Sequence, residues 1–457
     1  MNPLAPVQPF SRRGVCPALS APMQTGDGLL SRVAFTASLS PSDLDRLGDL
    51  ARRHGNGLLD VTARGSLQFR GLTADSAAEL EHDVLALQLP LRQGLAVETS
   101  PLAGIDDSEV ANPAPILELI SHKARLLGLD TKLAAKMSVI VDGGDLAPMG
   151  GLLADIRLKA VQRDRDVLWL LMLGGTEEKA LLAGALRIED AADCVIDLLI
   201  HLAQRGPDTR GRDLDIAAVR GVCGDRLMHV ASDVRAPTHD VGVPKKTDQR
   251  RLWALDDRLC VAVITPAFGQ ISSEALSALC KIAVDLGVQS IRPGPSHGLY
   301  ALGRHHACAA LMDYAETAGL IISDNDPRTA IAVCAGAPSC ASAYAPVRAL
   351  AEFAAKECGT MLDGSFTLHL SGCGKGCAHP APALLAFSGT SEGFSFGYQA
   401  KASALPDAQL TIDHQKAGLS RLARLYEKEH KPGENARSLL VRLGKDRIVA
   451  ALRQDEI

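Results

Sequence analysis

Apolar positions in this chain recur with two periods, and their alternation sets out strands and helices in a repeated order. From Pro41 to His54, leucines at 44, 47 and 50 follow a serine and end at Gly55, the pattern of a capped amphipathic helix. Short apolar runs on either side read as strands. The same strand–helix–strand pattern returns later, residues 39–71 matching 271–303 at a constant offset of 232. In that register Ser40 meets Ser272, Leu44 Leu276, Leu47 Leu279, Leu50 Ile282, Gly55 Gly287, Leu67 Leu299 and Gly71 Gly303. Ser272 or Ser273 caps the second helix. A duplication of this length predicts two pseudo-equivalent α+β units that pair about a local two-fold and share a cleft.

Each copy is followed by a longer α/β stretch. Residues 100–225 predict a helix near 114–127, strands near 137–142, 155–160 and 167–173, and a helix near 179–204. Residues 321–400 predict strands near 329–333 and 365–370 around a helix near 341–357, and 413–453 reads as a packed helix pair. The proline- and charge-containing stretch 206–250 has the composition of a connection, with 226–250 as the linker proper.

Composition narrows the function. The 457 residues carry 48 basic and 53 acidic side chains and only 4% aromatics, so both ingredients of a nucleic-acid surface are missing. The longest apolar run, around Val167–Leu173, is too short for a membrane span, which takes about 20 residues. The start, MNPLAPVQPFSRRGVCP, lacks the apolar centre of a signal peptide, so a cytoplasmic protein with reduced thiols is expected.

Four of the eleven cysteines stand apart: Cys334 and Cys340 in CAGAPSC, and Cys373 and Cys377 in SGCGKGC. Each pair follows a strand-like run and sits among glycines and alanines, where backbone can approach an inorganic cluster. Structural zinc favours CxxC, so this spacing points to a [4Fe–4S] cluster. No GxGxxG opens a helix after a strand, so NAD(P)H is expected to act through a separate electron donor that reaches the cluster.

The duplicated unit, the string Thr62, Arg64, Gln68 and the two cysteine pairs resemble the nitrite/sulfite reductase superfamily. Within it, RRGVCPALSAPMQTGDGLL, SPLAGID, VDGG, ADIRL, CAGAPSC and SGCGKGCAHP are similar to the precorrin-3B synthase family of aerobic cobalamin biosynthesis. The resemblance, which runs from about Arg12 to the end, implies an α+β fold. Duplicated ferredoxin-like half-domains (within 1–98 and 251–320) alternate with two reductase-type α/β domains (99–225 and 321–457), the second carrying the [4Fe–4S] cluster. It further implies an O2-dependent monooxygenase that hydroxylates precorrin-3A at C20 with γ-lactone formation, and a mononuclear non-haem iron beside the cluster.

A polycarboxylate tetrapyrrole needs fixed cations. Arg64 is the first candidate, with Gln68, Thr62, Arg32 and Lys136 beside it, and Arg70, Arg157 and Arg292 at similar strand ends. Against the reductase pattern, Ala34, Ser138 and Glu98–Thr99 replace basic or amide residues, which weakens the case for anion reduction. His297, His305, His306, His369 and His379 are available to an iron, yet none has diagnostic spacing, and no catalytic residue is assigned. Two alternatives stay open: a sulfite or nitrite reductase with sirohaem on Cys377, and a non-catalytic electron carrier.

Overall fold

The computed structural model describes residues 17–147, 149–230 and 250–453. Cys16, the start of the N-terminal string and most of the expected linker lie outside them. The first unit runs β1 (Met23–Thr25), β2 (Gly28–Val33), α1 (Pro41–His54), β3 (Leu58–Val61), β4 (Leu67–Leu72), α2 (Ala74–Ala86). It continues into β5 (Ala96–Glu98), α3 (Ala114–Leu126), β6 (Ser138–Asp142), β7 (Ala154–Arg163), β8 (Asp166–Gly175), β9 (Leu181–Leu186), α4 (Ile188–Arg205) and α5 (Ile216–Cys223). The second unit repeats the order: β10 (Leu252–Ala254), β11 (Cys260–Ile264), β12 (Gln270–Ser272), α6 (Ser273–Asp285), β13 (Ser290–Pro293), β14 (Leu299–Gly303), α7 (His305–Thr317). Then follow β15 (Ile331–Val333), α8 (Val347–Glu357), β16 (Leu368–Ser371), β17 (Ala383–Thr390), β18 (Gly393–Ala400), β19 (Ala408–Leu410), α9 (His414–Glu429) and α10 (Ala436–Arg453).

The duplication is borne out residue by residue. α1 and α6 begin 232 residues apart, as do β3 and β13, and β4 and β14. Ser40 and Ser272 are the caps, accepting from the amides of Asp43 and Ala275. The two halves also exchange strands. β12 pairs with β3 at Ile271–Leu59, and Leu39 bridges Ile291 across the equivalent junction, so each half adds an edge to the other's sheet. α1 packs on α6, and Leu44, Leu47, Leu276 and Leu279, each 0–1% exposed, fuse the two halves into one core. Each such leucine contributes about 1.5–3 kcal/mol.

The α/β domains repeat as well. Their sheets run β5-β6-β7-β8-β9 and β15-β16-β17-β18-β19, three parallel strands followed by an antiparallel hairpin in both. The resemblance implied two domains of one type, but no residue-level repeat between them shows in the sequence, because the strands differ in length and their loops in chemistry. One element boundary also differs from expectation. Residues 181–186 form β9, not the first turns of the helix, because strand pairing with β8 outweighs their helical propensity. The stretch 206–225, placed by the sequence within the first α/β domain despite its connection-like composition, carries α5, which packs into that domain's core.

The open face of the first half-domain sheet is polar, with Arg32, Asp60, Gln68, Arg70 and Gln270 opposite the leucine-rich face. The equivalent face of the second sheet is mostly apolar, with Arg292 the charged exception. Val261, Val263 and Tyr300 there are sealed by Leu102 and Ala147 of the first α/β domain. Of the two pseudo-symmetric clefts, the second is therefore packed shut.

Candidate functional site

A cavity of about 1230 Å³ opens between the first half-domain and the first α/β domain. That exceeds the usual ligand pocket of about 300–1,000 Å³. Arg32 on β2, Thr62 and Arg64 between β3 and β4, and Lys136 before β6 all line it, so four of the five candidate substrate residues converge. Ala34, Glu98 and Ser138, the positions that depart from the reductase pattern, line the same space. Gln68 does not reach it. Turned so that its amide oxygen faces β2, Gln68 accepts from Arg32 Nε at 3.0 Å and fixes that guanidinium.

The Arg64 loop is built by Thr62, whose Oγ1 accepts from the amide of Ser66 at 3.0 Å. Gly65 closes the loop at φ 75°, and a Cβ there would lie 2.5 Å from the Pro293 carbonyl, so glycine is required. Arg64 is not a bare cation. Its guanidinium pairs with Glu98 and donates to the Leu153 carbonyl, and Glu98 also accepts from Arg92 at 2.9 Å. The acidic residue that replaces an arginine of the reductase pattern thus holds two arginines at the cavity wall.

Sequence reasoning missed Lys179, Arg210 and Arg212, which also line the cavity. Arg210 forms a bidentate pair with buried Asp155 of the ADIRL string at 2.8 Å, and Gly211 approaches so closely that a Cβ would sit 1.9 Å from the Asp155 carbonyl. No local pattern in 206–213 signals this, since the partner lies more than fifty residues earlier. Arg32, Arg64, Arg92, Lys136, Lys179, Arg210 and Arg212 face four carboxylates around the cavity, a cationic surplus in a chain whose net charge is −5. Arg70 and Arg157 are instead structural. Arg70, 4% exposed, binds Asp27, Asp60 and the Ser339 carbonyl, and Arg157, 1% exposed, donates to the Met149 and Leu152 carbonyls. Arg292, partly buried, lines a small neighbouring pocket, and desolvation lowers its pKa.

The four cysteines come together at the ends of β15 and β16. Partial desolvation raises the pKa of the Cys377 thiol, whose side chain still reaches solvent, and nearby Cys373, Cys334 and Cys340 raise it further, which puts all four within electrostatic reach. The Gly372 amide donates to Cys334 Sγ at 3.1 Å. Backbone crowds this site: a Cβ on Gly26 would lie 2.4 Å from the Ala341 amide, and one on Gly372 2.7 Å from Ala343. Beneath the second loop His369 is 0% exposed with neither ring nitrogen partnered, and burial lowers its pKa to about 4, so it is neutral. Among the described residues no three histidine, cysteine or acidic side chains are gathered tightly enough for a single metal ion. Four thiols in a backbone cradle have the donor chemistry that an iron–sulfur cluster requires. The mononuclear iron implied by the resemblance finds no ready ligand set among the described residues.

Cluster loop and cavity flank the same polar sheet, joined by Arg70 from β4 to Ser339 between the first two cysteines. A duplicated half-domain core with one open cleft and one thiol-lined loop pair defines the nitrite/sulfite reductase superfamily. Residues 21–87 match the model of the nitrite/sulfite reductase ferredoxin-like half domain. The fold is similar to the Mycobacterium tuberculosis NirA protein at TM-score 0.69 and 19% identity, covering 92% of this chain and 84% of that one. A precorrin-3B synthase from Sinorhizobium sp is 39% identical over 445 residues, 97% of this chain and 95% of the relative. The chain belongs to the precorrin-3B synthase family. No helix among the described residues is long and apolar enough to cross a membrane.

Proposed function

We propose that the protein is the oxygen-dependent monooxygenase that converts precorrin-3A to precorrin-3B, hydroxylating C20 and closing a γ-lactone, in aerobic cobalamin biosynthesis. The observation that supports this most is the cavity: one space of tetrapyrrole size, walled by seven cations, on the half-domain that the family model matches. Arg32, Arg64 and Lys136 take the carboxylates of the macrocycle. Gln68 orients Arg32, Thr62 shapes the Arg64 loop, and Glu98 keeps Arg64 and Arg92 in place before substrate arrives.

Cys334, Cys340, Cys373 and Cys377 are the residues that would hold a [4Fe–4S] cluster, which supplies electrons one at a time when bound. Cys377 is exposed, giving an external NAD(P)H-dependent donor access from solvent. The hydroxylation places one oxygen atom of O2 in the substrate and releases the other as water, consuming a pair of electrons from that donor and two protons from solvent. Loss of basic residues at Ala34, Ser138 and Glu98 favours this over sulfite or nitrite reduction, which needs proton donors around a small anion.

A cofactor inventory on anaerobically purified protein tests the reading. About four labile sulfides, about four irons to match them and no extractable tetrapyrrole are expected, with oxygen uptake on adding precorrin-3A and an electron donor. Stoichiometric sirohaem, or no oxygen uptake with a full cluster, overturns it.

A further inference from the structure

His369 lies beneath the loop that carries Cys373 and Cys377 and has no task in the reading above. It lies on β16 between Leu368 and Leu370, whose side chains enter the core with the helices, so the imidazole is on the opposite face. There the loop between Cys373 and Cys377 folds over it: a Cβ on Gly376 would be 3.5 Å from His369 Cε1, and the His379 ring meets it edge-to-face at 5.6 Å. The side chain is 0% exposed, and neither Nδ1 nor Nε2 has a protein partner. Buried polar groups in native proteins are satisfied with few exceptions, so an orphan in this position points to a partner outside the polypeptide.

The duplication provides an internal comparison. β6 occupies the place of β16 in the first α/β domain, Val139 and Val141 entering the core as Leu368 and Leu370 do. The residue between them is Ile140, also 0% exposed, packed against Met149 and Ala154 under the equivalent loop. The clusterless copy fills this position with hydrocarbon. The copy whose loops carry four cysteines places a hydrogen-bond donor there, at the same depth in the same sheet.

We propose that His369 is a positioning residue for the iron–sulfur centre: its N–H donates a hydrogen bond into the sulfur cage held by the four cysteines and raises the reduction potential of the cluster. A donor stabilises sulfur more in the electron-rich reduced state, so the reduced form gains and the potential rises. This rests on the cofactor reading above, and none of its tests needs turnover.

The measurement is an EPR-monitored redox titration of the anaerobic full-length protein and of His369→Leu and His369→Gln, with iron and sulfide counted in each. His369→Leu, which removes the donor, is expected to move the midpoint to lower potential, and His369→Gln, which keeps an N–H, to return it toward the parent value. Because a buried substitution can impair loading, the unmutated protein labelled with 15N-histidine is examined by pulsed EPR in the reduced state. A weak 15N coupling to the cluster spin is expected there. A fully loaded His369→Leu protein with unchanged midpoint, or a parent protein without the coupling, overturns the inference and leaves the cluster assignment standing. A protein that takes up no four-iron cluster overturns both.

Discussion

Arg70 joins the first half-domain to the cysteine loop, and replacing it with methionine isolates that link. The side chain is 4% exposed; Nε and Nη2 hold the two oxygens of Asp27 at 3.0 and 2.9 Å, Nη1 holds Asp60 at 3.0 Å, and Nη2 also donates to the Ser339 carbonyl at 2.9 Å. Burial disfavours the charge, but Asp60 and Asp27 more than offset it and raise the guanidinium pKa. Arg70→Met therefore leaves two carboxylates, each with 13% of its side chain exposed, Asp27 without its guanidinium and Asp60 with only the more distant Arg348 at 3.9 Å. Breaking a buried ion pair from one side costs about 3–5 kcal/mol. The expected result is a urea transition displaced by that amount and a fall in labile sulfide per chain, since the CAGAPSC loop loses its anchor at Ser339. The triple variant Arg70→Met, Asp27→Asn, Asp60→Asn removes the stranded charges and is expected to recover most of the stability but not the sulfide content. An Arg70→Met protein with parental stability and a full cluster would refute the reasoning.

Arg64→Ala is expected to weaken precorrin-3A binding while leaving the cluster absorbance intact; unchanged affinity by fluorescence titration removes Arg64 from the binding wall. Cys377→Ser is expected to lose labile sulfide and visible absorbance, and retention of both shows that the fourth ligand lies elsewhere. Burial raises the Asp145 pKa to about 7, despite its bond from Ser100, so the folded state holds a proton that the unfolded chain, near 4, has released. Its contribution is largest below pH 4 and is lost as pH rises toward 7. Asp145→Asn should accordingly flatten the decline of the thermal midpoint between pH 5 and 7, and an identical slope in parent and variant contradicts this.

Local chemistry made much of this protein legible in its sequence. The serine caps, the leucine spacing of α1 and α6 and the constant offset between repeats are properties of adjacent residues, and they located both half-domains. The small-residue loops bearing Cys334, Cys340, Cys373 and Cys377 gave the expectation of a cluster for the same reason, because the requirement for close backbone approach is local. Tertiary structure decided the rest. Which of two equivalent clefts stays open depends on whether the face opposite a sheet's core is polar, as at Arg32 and Arg70, or sealed by a distant domain, as at Tyr300. Arg64 and Arg70 look alike as strand-end cations, yet one lines the cavity beside Glu98 and the other is consumed between Asp27 and Asp60. Arg210 and Lys179 join the site from segments with no motif at all. Pairing of charges across tens or hundreds of residues is set by the packed geometry, which composition and periodicity along one strand do not encode.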